Sequence, residues 1–206
     1  MPKRPARKSA YHHGDLRNAL IQAGTRLLRH VGLDDLSLRR VAKEAKVSPA
    51  APYRHFPDKH ALLAAISERG FHSLNARLEA ARAASPGDLD ASGQAYLAFA
   101  LAEPETYRLM FTKNVLCEGE PPESLQEAGR QAFQSLVATI AEGQASGRIA
   151  RRDADQLALG AWALVHGVAM LIIDGALDRE PYNQLPPGHL LAACQAIFRE
   201  GWRTLP

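Results

Sequence analysis

The chain has 206 residues, 46% apolar and 23% charged, with 15 Gly and 13 Pro, which excludes a disordered or collagen-like protein. A chain of this size buries roughly 70% of its unfolded surface, as one domain or as a small domain attached to a larger one. The net charge is only +3, and the two cysteines, Cys117 and Cys194, exclude a disulfide-stapled scaffold and a multi-cysteine zinc site and fit reduced thiols in a cytoplasmic protein.

Residues 1–13 begin with Lys3-Arg4-Pro5-Ala6-Arg7-Lys8, and Tyr11-His12-His13 stands where a secretory signal would need an apolar run. They read as a basic flexible arm, disordered when free. Leu16, Leu20, Ala23, Leu27 and Val31 recur at helical spacing, so Asp15 to His30 is expected as a first helix, ended by Gly32. Ser37 then caps a second helix, Leu38 to Ala45, with Leu38, Val41 and Ala45 inward and Arg39, Arg40 and Lys43 outward.

Ser48 and Pro49 have the chemistry of a cap and a first helical residue, so a short third helix is expected from there to Phe56, stopped by Pro57. Asp58 caps a long fourth helix, Lys59 to about Ala84, closed by Ser85-Pro86-Gly87. Beyond it five more helices and no strand are expected: Asp88 to Ala102, Glu103 to Thr112, Glu123 to Ser146, Ala154 to Asp174 and Gly188 to Thr204. Pro104, Gly119 to Pro122, Gly147 and Pro181 to Pro187 separate them. The chain is therefore read as all-α with about nine helices. The apolar run Leu157 to Ile173 holds His166 and two glycines and is short for a membrane span, so it is read as a buried helix and no membrane partner is expected.

The small net charge conceals an asymmetry. Residues 1–60 carry 13 Lys and Arg against 5 Asp and Glu, a net of +8, which leaves 12 against 17, a net of −5, for the rest. Clustered positive charge acts within a Debye length of ~8 Å, so the first part is suited to a polyanion. A solvated charged face is the alternative reading.

Two short helices joined by a tight turn inside this basic third form a helix-turn-helix, residues 37–56, whose second helix can enter a DNA major groove. Ala50 and Ala51 are small enough to let the backbone approach base edges, and Tyr53, Arg54, His55 and Lys59 supply donors to phosphates. The competing reading packs Tyr53, His55 and Phe56 against the first helix. It is preferred for Phe56, and DNA contact is preferred for Tyr53, Arg54, His55 and Lys59.

Residues 14–66, above all Leu36-Ser37-Leu38-Arg39-Arg40-Val41-Ala42-Lys43-Glu44-Ala45-Lys46-Val47-Ser48 and Pro52-Tyr53-Arg54-His55-Phe56-Pro57-Asp58-Lys59, resemble the DNA-binding domain of the TetR family of bacterial transcriptional regulators. The resemblance implies that residues 14–60 are a DNA-binding domain and residues 61–206 a helical effector-binding and dimerisation domain. It implies contacts to DNA from Arg39, Tyr53, His55 and Lys59; Ser37, Ser48, Ala50, Ala51 and Arg54, read from the motif itself, complete the set of candidate DNA-contacting residues. Pro52 departs from even helical geometry, because it removes a hydrogen bond one turn into the third helix.

Pro104-Glu105-Thr106-Tyr107-Arg108-Leu109-Met110-Phe111 and Trp162-Ala163-Leu164-Val165-His166-Gly167 resemble a branch of that family named for its Trp and His-Gly residues. This implies that the last two long helices pair with their copies as a four-helix bundle and that the preceding helices enclose a small-effector pocket. Independently, residues 157–173 are apolar nearly all round and call for a partner, a homodimer or else the core of a monomer. A two-fold dimer sets two reading helices about 34–36 Å apart, matched to a palindromic operator in double-stranded DNA. Candidate lining residues for a hydrophobic effector are Phe71, Tyr96, Phe99, Tyr107, Met110, Phe111, Trp162 and His166. Plain core packing is the stronger reading for each, with His166 satisfied by a backbone carbonyl.

The eight His and two Cys form no nucleophile–base set or metal cluster, and the carboxylates Glu103, Glu105, Asp153 and Asp155 sit at helix starts where the dipole accounts for them. Neither catalysis nor a cofactor is expected. The function read from the sequence is a ligand-responsive repressor released from its operator by a small effector. A helical cytosolic enzyme or interaction module with an incidental basic face is the alternative.

Overall fold

The computed structural model describes residues 13–112, 120–178, 180 and 185–204. The arm before His13, Cys117, Gly119 and residues 181–184 lie outside the described residues. Contacts divide the chain into two units, Met1–Ile66 and Ser67–Pro206. Among the described residues all regular structure is helical: α1 His13–Val31, α2 Leu38–Glu44, a 3-10 turn Pro52–Arg54, α3 Lys59–Ala84, α4 Leu89–Ala102, α5 Pro104–Phe111, α6 Glu123–Ala145, α7 Ala154–Ile173 and α8 Pro187–Thr204.

In the first unit α1 buries Leu20, Ile21, Ala23 and Leu28, a face shifted towards Ile21 and Leu28 from the predicted row, which leaves Leu16, Leu27 and Val31 half-buried. Gly32, at φ +73°, turns the chain out of α1 while its N–H reaches the Leu28 carbonyl at 3.1 Å. Ser37 Oγ accepts from Arg40 N–H at 3.3 Å, the cap expected for α2, and Leu38, Val41 and Ala42 are buried. Asp58 Oδ1 likewise accepts from Ala61 N–H at 2.8 Å at the start of α3. Leu62, Leu63 and Ile66 of α3 are buried, as is Phe56, whose ring lies under the Arg17 guanidinium at 5.4 Å.

The expected third helix is corrected. Only Pro52–Arg54 is helical, and as a 3-10 turn. Pro52 has no N–H to offer the Ser48 carbonyl, which is taken instead by Ala51 N–H at 2.9 Å; Arg54 N–H reaches the Ala51 carbonyl at 3.3 Å. Pro57 then prevents the turn from lengthening.

The turn after α2 places Lys46 at φ +57°, the one non-glycine residue in the left-handed region among those described. Val47 N–H closes back onto the Ala42 carbonyl at 2.9 Å, a helix-ending motif that usually uses glycine. A side chain costs about 1–2 kcal/mol in this conformation. Lys46→Gly is expected to raise stability by about 0.5–1 kcal/mol, because glycine's greater freedom in the unfolded chain returns part of the gain. Urea denaturation of the two proteins measures the difference.

In the second unit the buried core is formed by Leu74 and Leu78 of α3, Tyr96, Leu97, Phe99 and Ala100 of α4, Tyr107 and Met110 of α5, Ala132 of α6, Val165, Val168 and Ala169 of α7, and Leu191 of α8. Asp88 caps α4 by accepting from Asp90 N–H and Ala91 N–H, each at 3.0 Å. Asp153 caps α7 through Gln156 N–H at 2.9 Å. Gly87, at φ +71°, donates its N–H to Glu142 Oε2 at 3.2 Å and ties the α3–α4 turn to α6.

α7 is long and apolar enough to cross a membrane by length and composition. It packs against α4, α6 and α8 and buries Leu157, Ala158, Ala161, Val165, Val168 and Ala169 on one side. The opposite side is apolar and bare: Leu159 is 56% exposed, Ala163 is exposed, and Ile197 of α8 is 71% exposed.

Candidate nucleic-acid interface and interior cavity

Two arrangements in the structure have the make-up of functional sites, one in each unit. In the first unit the buried side of α2 and Phe56 fix the backbone from Ser37 to Phe56, and the other side carries the predicted contact residues. Arg39, Ser48, Ala50 and Arg54 are exposed, Tyr53 is 52% exposed, and Ser37, Ala51 and His55 are half-buried. Arg39 and Arg54 have no ion-pair partner among the described residues, whereas Arg40 faces Asp35 at 3.8 Å. A planar guanidinium in this state can bind a phosphate with two parallel hydrogen bonds.

Lys59 is placed differently from the other cations. Its Nζ donates to the Leu33 carbonyl at 2.7 Å and lies 3.4 Å from the Asp34 carbonyl, so it clamps the start of α3 to the segment before α2. A charge-assisted hydrogen bond of this kind contributes about 1.5–3 kcal/mol. Lys46, exposed at the left-handed turn, adds a cation that the helical pattern did not single out.

The second unit encloses a cavity of about 790 Å³. Of the candidate lining residues Phe71, Tyr96, Phe111 and Trp162 line it, where plain core packing is the preferred reading of the sequence. Phe99, Tyr107 and Met110 do not: they are buried in the core, with Phe99 and Tyr107 at 0% exposure. His166 is also absent from the wall. Much of the lining comes instead from α6, through Phe133, Leu136 and Val137, and from Gln195 and Phe198 of α8. Aromatic content marks Phe133 and Phe198 as well as the first group, and the apolar stripe of α6 marks Leu136 and Val137; Gln195 carries no such signal.

Behind the wall lies a closed polar relay. Trp162 Nε1–H donates to Tyr96 Oη at 3.3 Å, the Tyr96 and Tyr107 hydroxyls are 2.9 Å apart, and Tyr107 Oη is 2.7 Å from His166 Nδ1. With a neutral imidazole accepting at Nδ1 the line runs one way: Trp162 donates, the Tyr96 and Tyr107 hydroxyls each accept once and donate once, and His166 accepts. The backbone carbonyl expected as the partner of His166 is thus replaced by the Tyr107 hydroxyl. Burial raises the Tyr96 hydroxyl to about 12 and pushes Tyr107 up as well, and burial lowers the His166 imidazole.

The lowered histidine has a consequence for stability. Below its ordinary value of 6.5 the unfolded chain takes up a proton that the folded chain refuses, so stability rises with pH through that window. The contribution of His166 is complete above 6.5 and is lost as the pH falls. Thermal melts from pH 7.5 to 5 are expected to decline more steeply for the native protein than for His166→Gln, which has no titrating group at this position.

Residues 20–66 match the family described as bacterial regulatory proteins, tetR family, and residues 89–185 match the tetracyclin repressor-like C-terminal domain. The chain belongs to the TetR family of transcription regulators. These are non-enzymatic DNA-binding proteins, and membership implies dimerisation as well as DNA binding. A protein with unknown function from Rhodococcus sp. RHA1 is 38% identical to this TetR-family chain, with a TM-score of 0.81 over 94% of this chain and 98% of that one. A TetR-family transcriptional regulator from Pectobacterium atrosepticum shares the fold, with a TM-score of 0.70 at 24% identity over 94% and 97% of the two chains. Tetracycline repressor protein class G from Vibrio anguillarum is 44% identical over 52 residues, and the match spans about a quarter of each chain, 25% in both cases.

Proposed function

We propose that this TetR-family chain is a cytoplasmic repressor that binds a palindromic operator as a homodimer and is released by a small, mainly apolar effector. The observation that carries the reading is the two-sided head, in which Phe56 and the apolar side of α2 are buried while Arg39, Tyr53 and Arg54 stand exposed. Arg39, Arg54 and Lys46 supply charge to phosphates; Ser37, Ser48, Tyr53 and His55 supply neutral contacts; Ala50 and Ala51 admit the backbone to base edges. Lys59 acts through the clamp on Leu33, as a positioning residue. Residues 1–13 form the basic arm, residues 14–60 the reading domain and residues 61–206 the effector and dimerisation domain.

The bare face of α7 and α8, with Leu159, Ala163 and Ile197, is the surface that a second copy covers. The effector occupies the cavity between α3, α4, α6, α7 and α8 of the second unit. Trp162 and His166, one turn apart on α7, converge on the Tyr96 hydroxyl, which supports placing the chain in the Trp/His-Gly branch. α3 runs unbroken from Lys59 to Ala84 and carries Phe71, Leu74 and Leu78 to the cavity wall, so an effector that prefers one setting of α3 shifts the population of DNA-competent dimers.

The purified protein, incubated with sheared genomic DNA and recovered, is expected to enrich fragments sharing an inverted repeat whose half-sites lie one helical turn apart. Enrichment without an inverted repeat, or none at all, would sink the proposal.

A further inference from the structure

The glycines in the helix interiors of the second unit divide by what a side chain would meet. A Cβ at Gly70 would run into Met110, one at Gly93 into Gln195 and one at Gly143 into Ile149, each closer than 3.0 Å, and one at Gly160 would press on Phe198 at 3.0 Å. Close packing accounts for these four. Gly129 of α6 and Gly167 of α7 have no such neighbour. Gly167 stands one turn from the exposed Ala163, on the side of α7 already assigned to a second copy. Gly129 lines the cavity.

Outside its own helix backbone, a Cβ at Gly129 would have only the Phe71 ring within 4 Å, at 3.9 Å from Cε1 and Cζ, which is ordinary contact. Alanine would fit there, and anything longer would extend into the cavity. Glycine is the poorest residue for a helix interior after proline, and alanine is the best. The helix thus gives up stability at a position where the loss deepens the cavity.

The space so opened is bounded by rings. Phe71 turns its tip towards Gly129, meets Phe111 edge-on at 5.6 Å, and Phe111 lies 6.1 Å from Trp162. The rim of an aromatic ring is its positive part and prefers the negative face of another ring. A flat ring set against the bare α6 backbone at Gly129 offers its face to the Phe71 rim. No polar side chain comes within 4 Å of that Cβ position. Of the polar lining groups, Gln134 and Asp155 are exposed, Arg130 and Arg199 are paired with Glu127 and Asp90, and Ser92 and Gln195, on α4 and α8, are buried. A hydroxyl on a ligand therefore stays with the exposed groups, and an unsubstituted ring takes the corner.

We infer that Gly129 determines specificity by opening a ring subsite, and that the cavity takes an apolar molecule ending in an unsubstituted aromatic ring, laid on the α6 backbone with its face to the rim of Phe71. This rests on the reading of the cavity as the effector site. It adds the chemical class of the effector's leading end and names the two residues that select it.

The test uses the full-length protein with 4-hydroxybiphenyl, with 4-cyclohexylphenol, whose outer ring is saturated, and with 4-isopropylphenol, which has no outer ring. Binding is followed by tryptophan fluorescence, since Trp162 lines the cavity. Gly129→Ala is expected to raise the thermal midpoint of the free protein, because alanine favours the helix. It is nevertheless expected to weaken 4-hydroxybiphenyl about tenfold, the effect of one misplaced methyl in an apolar pocket, and 4-isopropylphenol less than about twofold. Gly129→Leu is expected to abolish binding of both two-ring probes and to keep the single-ring one; should it fail to fold, Gly129→Ala carries the comparison. Phe71→Leu is expected to lower the ratio of 4-hydroxybiphenyl to 4-cyclohexylphenol affinity by about two- to tenfold, the range of an aromatic pair beyond its buried area. Unchanged affinity for 4-hydroxybiphenyl in the Gly129 variants, equal losses for the two-ring and single-ring probes, or a ratio unmoved by Phe71→Leu would overturn the inference while leaving the cavity a ligand site. If none of the three probes binds the native protein, the effector reading of the cavity falls, and this inference falls with it.

Discussion

Leu159→Asp combined with Ile197→Asp is expected to yield a folded monomer that binds operator DNA at least about a hundredfold more weakly than the native protein. Both side chains are apolar and more than half exposed, Leu159 at 56% and Ile197 at 71%, so neither substitution removes core packing. Across a two-fold axis each change appears twice, placing four carboxylates in one contact. A carboxylate buried without a partner costs several kcal/mol, more than an interface of ordinary size has to spare. Loss of the dimer also removes the high effective concentration that the second reading head enjoys once the first is bound, and this is where most of the affinity goes. Light scattering coupled to size exclusion reads the mass, and anisotropy of a labelled operator reads the affinity. A double variant that remains dimeric would show that the bare face is not the subunit contact.

Helix periods and punctuation carried most of the fold. The expected fourth helix and α3 share the bounds Lys59 and Ala84, and the five helices after it match within about one residue at each end, because Asp58, Asp88 and Asp153 cap as their side chains allow. Local rules failed where two of them competed. Ser48-Pro49 announces a helix, but Pro52 three residues on withdraws the next hydrogen bond, and a 3-10 turn is the outcome. The left-handed turn at Lys46 was also hidden, since nothing in a lysine predicts that conformation.

The candidate sites were less legible than the fold, for a physical reason. Periodicity tells which side of a helix is apolar, and core and cavity wall are both apolar. Phe99 and Phe111 are alike in composition, yet the first is sealed in the core and the second faces the cavity. Polar contacts between distant segments leave no local trace at all. Tyr107 and His166 are 59 residues apart and Lys59 is 26 residues from Leu33, so their partners are set by tertiary packing alone. Gln195 belongs to the same class: only the packing of α8 on α4 makes it a buried amide.

The contrast between the free guanidiniums and the clamped ammonium leads to the second large effect. Arg39→Ala with Arg54→Ala is expected to weaken operator binding by about a hundredfold or more, since each hydrogen bond to a charged group contributes about 1.5–3 kcal/mol. The slope of log affinity against log salt is expected to become shallower by about 1.8 per head, because each phosphate left without its cation retains its counterions. Folding is expected to be unchanged, both side chains being exposed and free of ion pairs among the described residues. Lys59→Met is expected to do the reverse. Losing the 2.7 Å bond to Leu33 lowers the stability of the reading head, but the salt slope stays where it was, because the ammonium is already committed to a carbonyl. Anisotropy titrations between 50 and 200 mM salt, paired with urea denaturation, separate the two behaviours. If the arginine pair left the slope intact while Lys59→Met reduced it, DNA would have to meet the head on the side where α3 begins, with the Lys59 clamp opening to reach a phosphate.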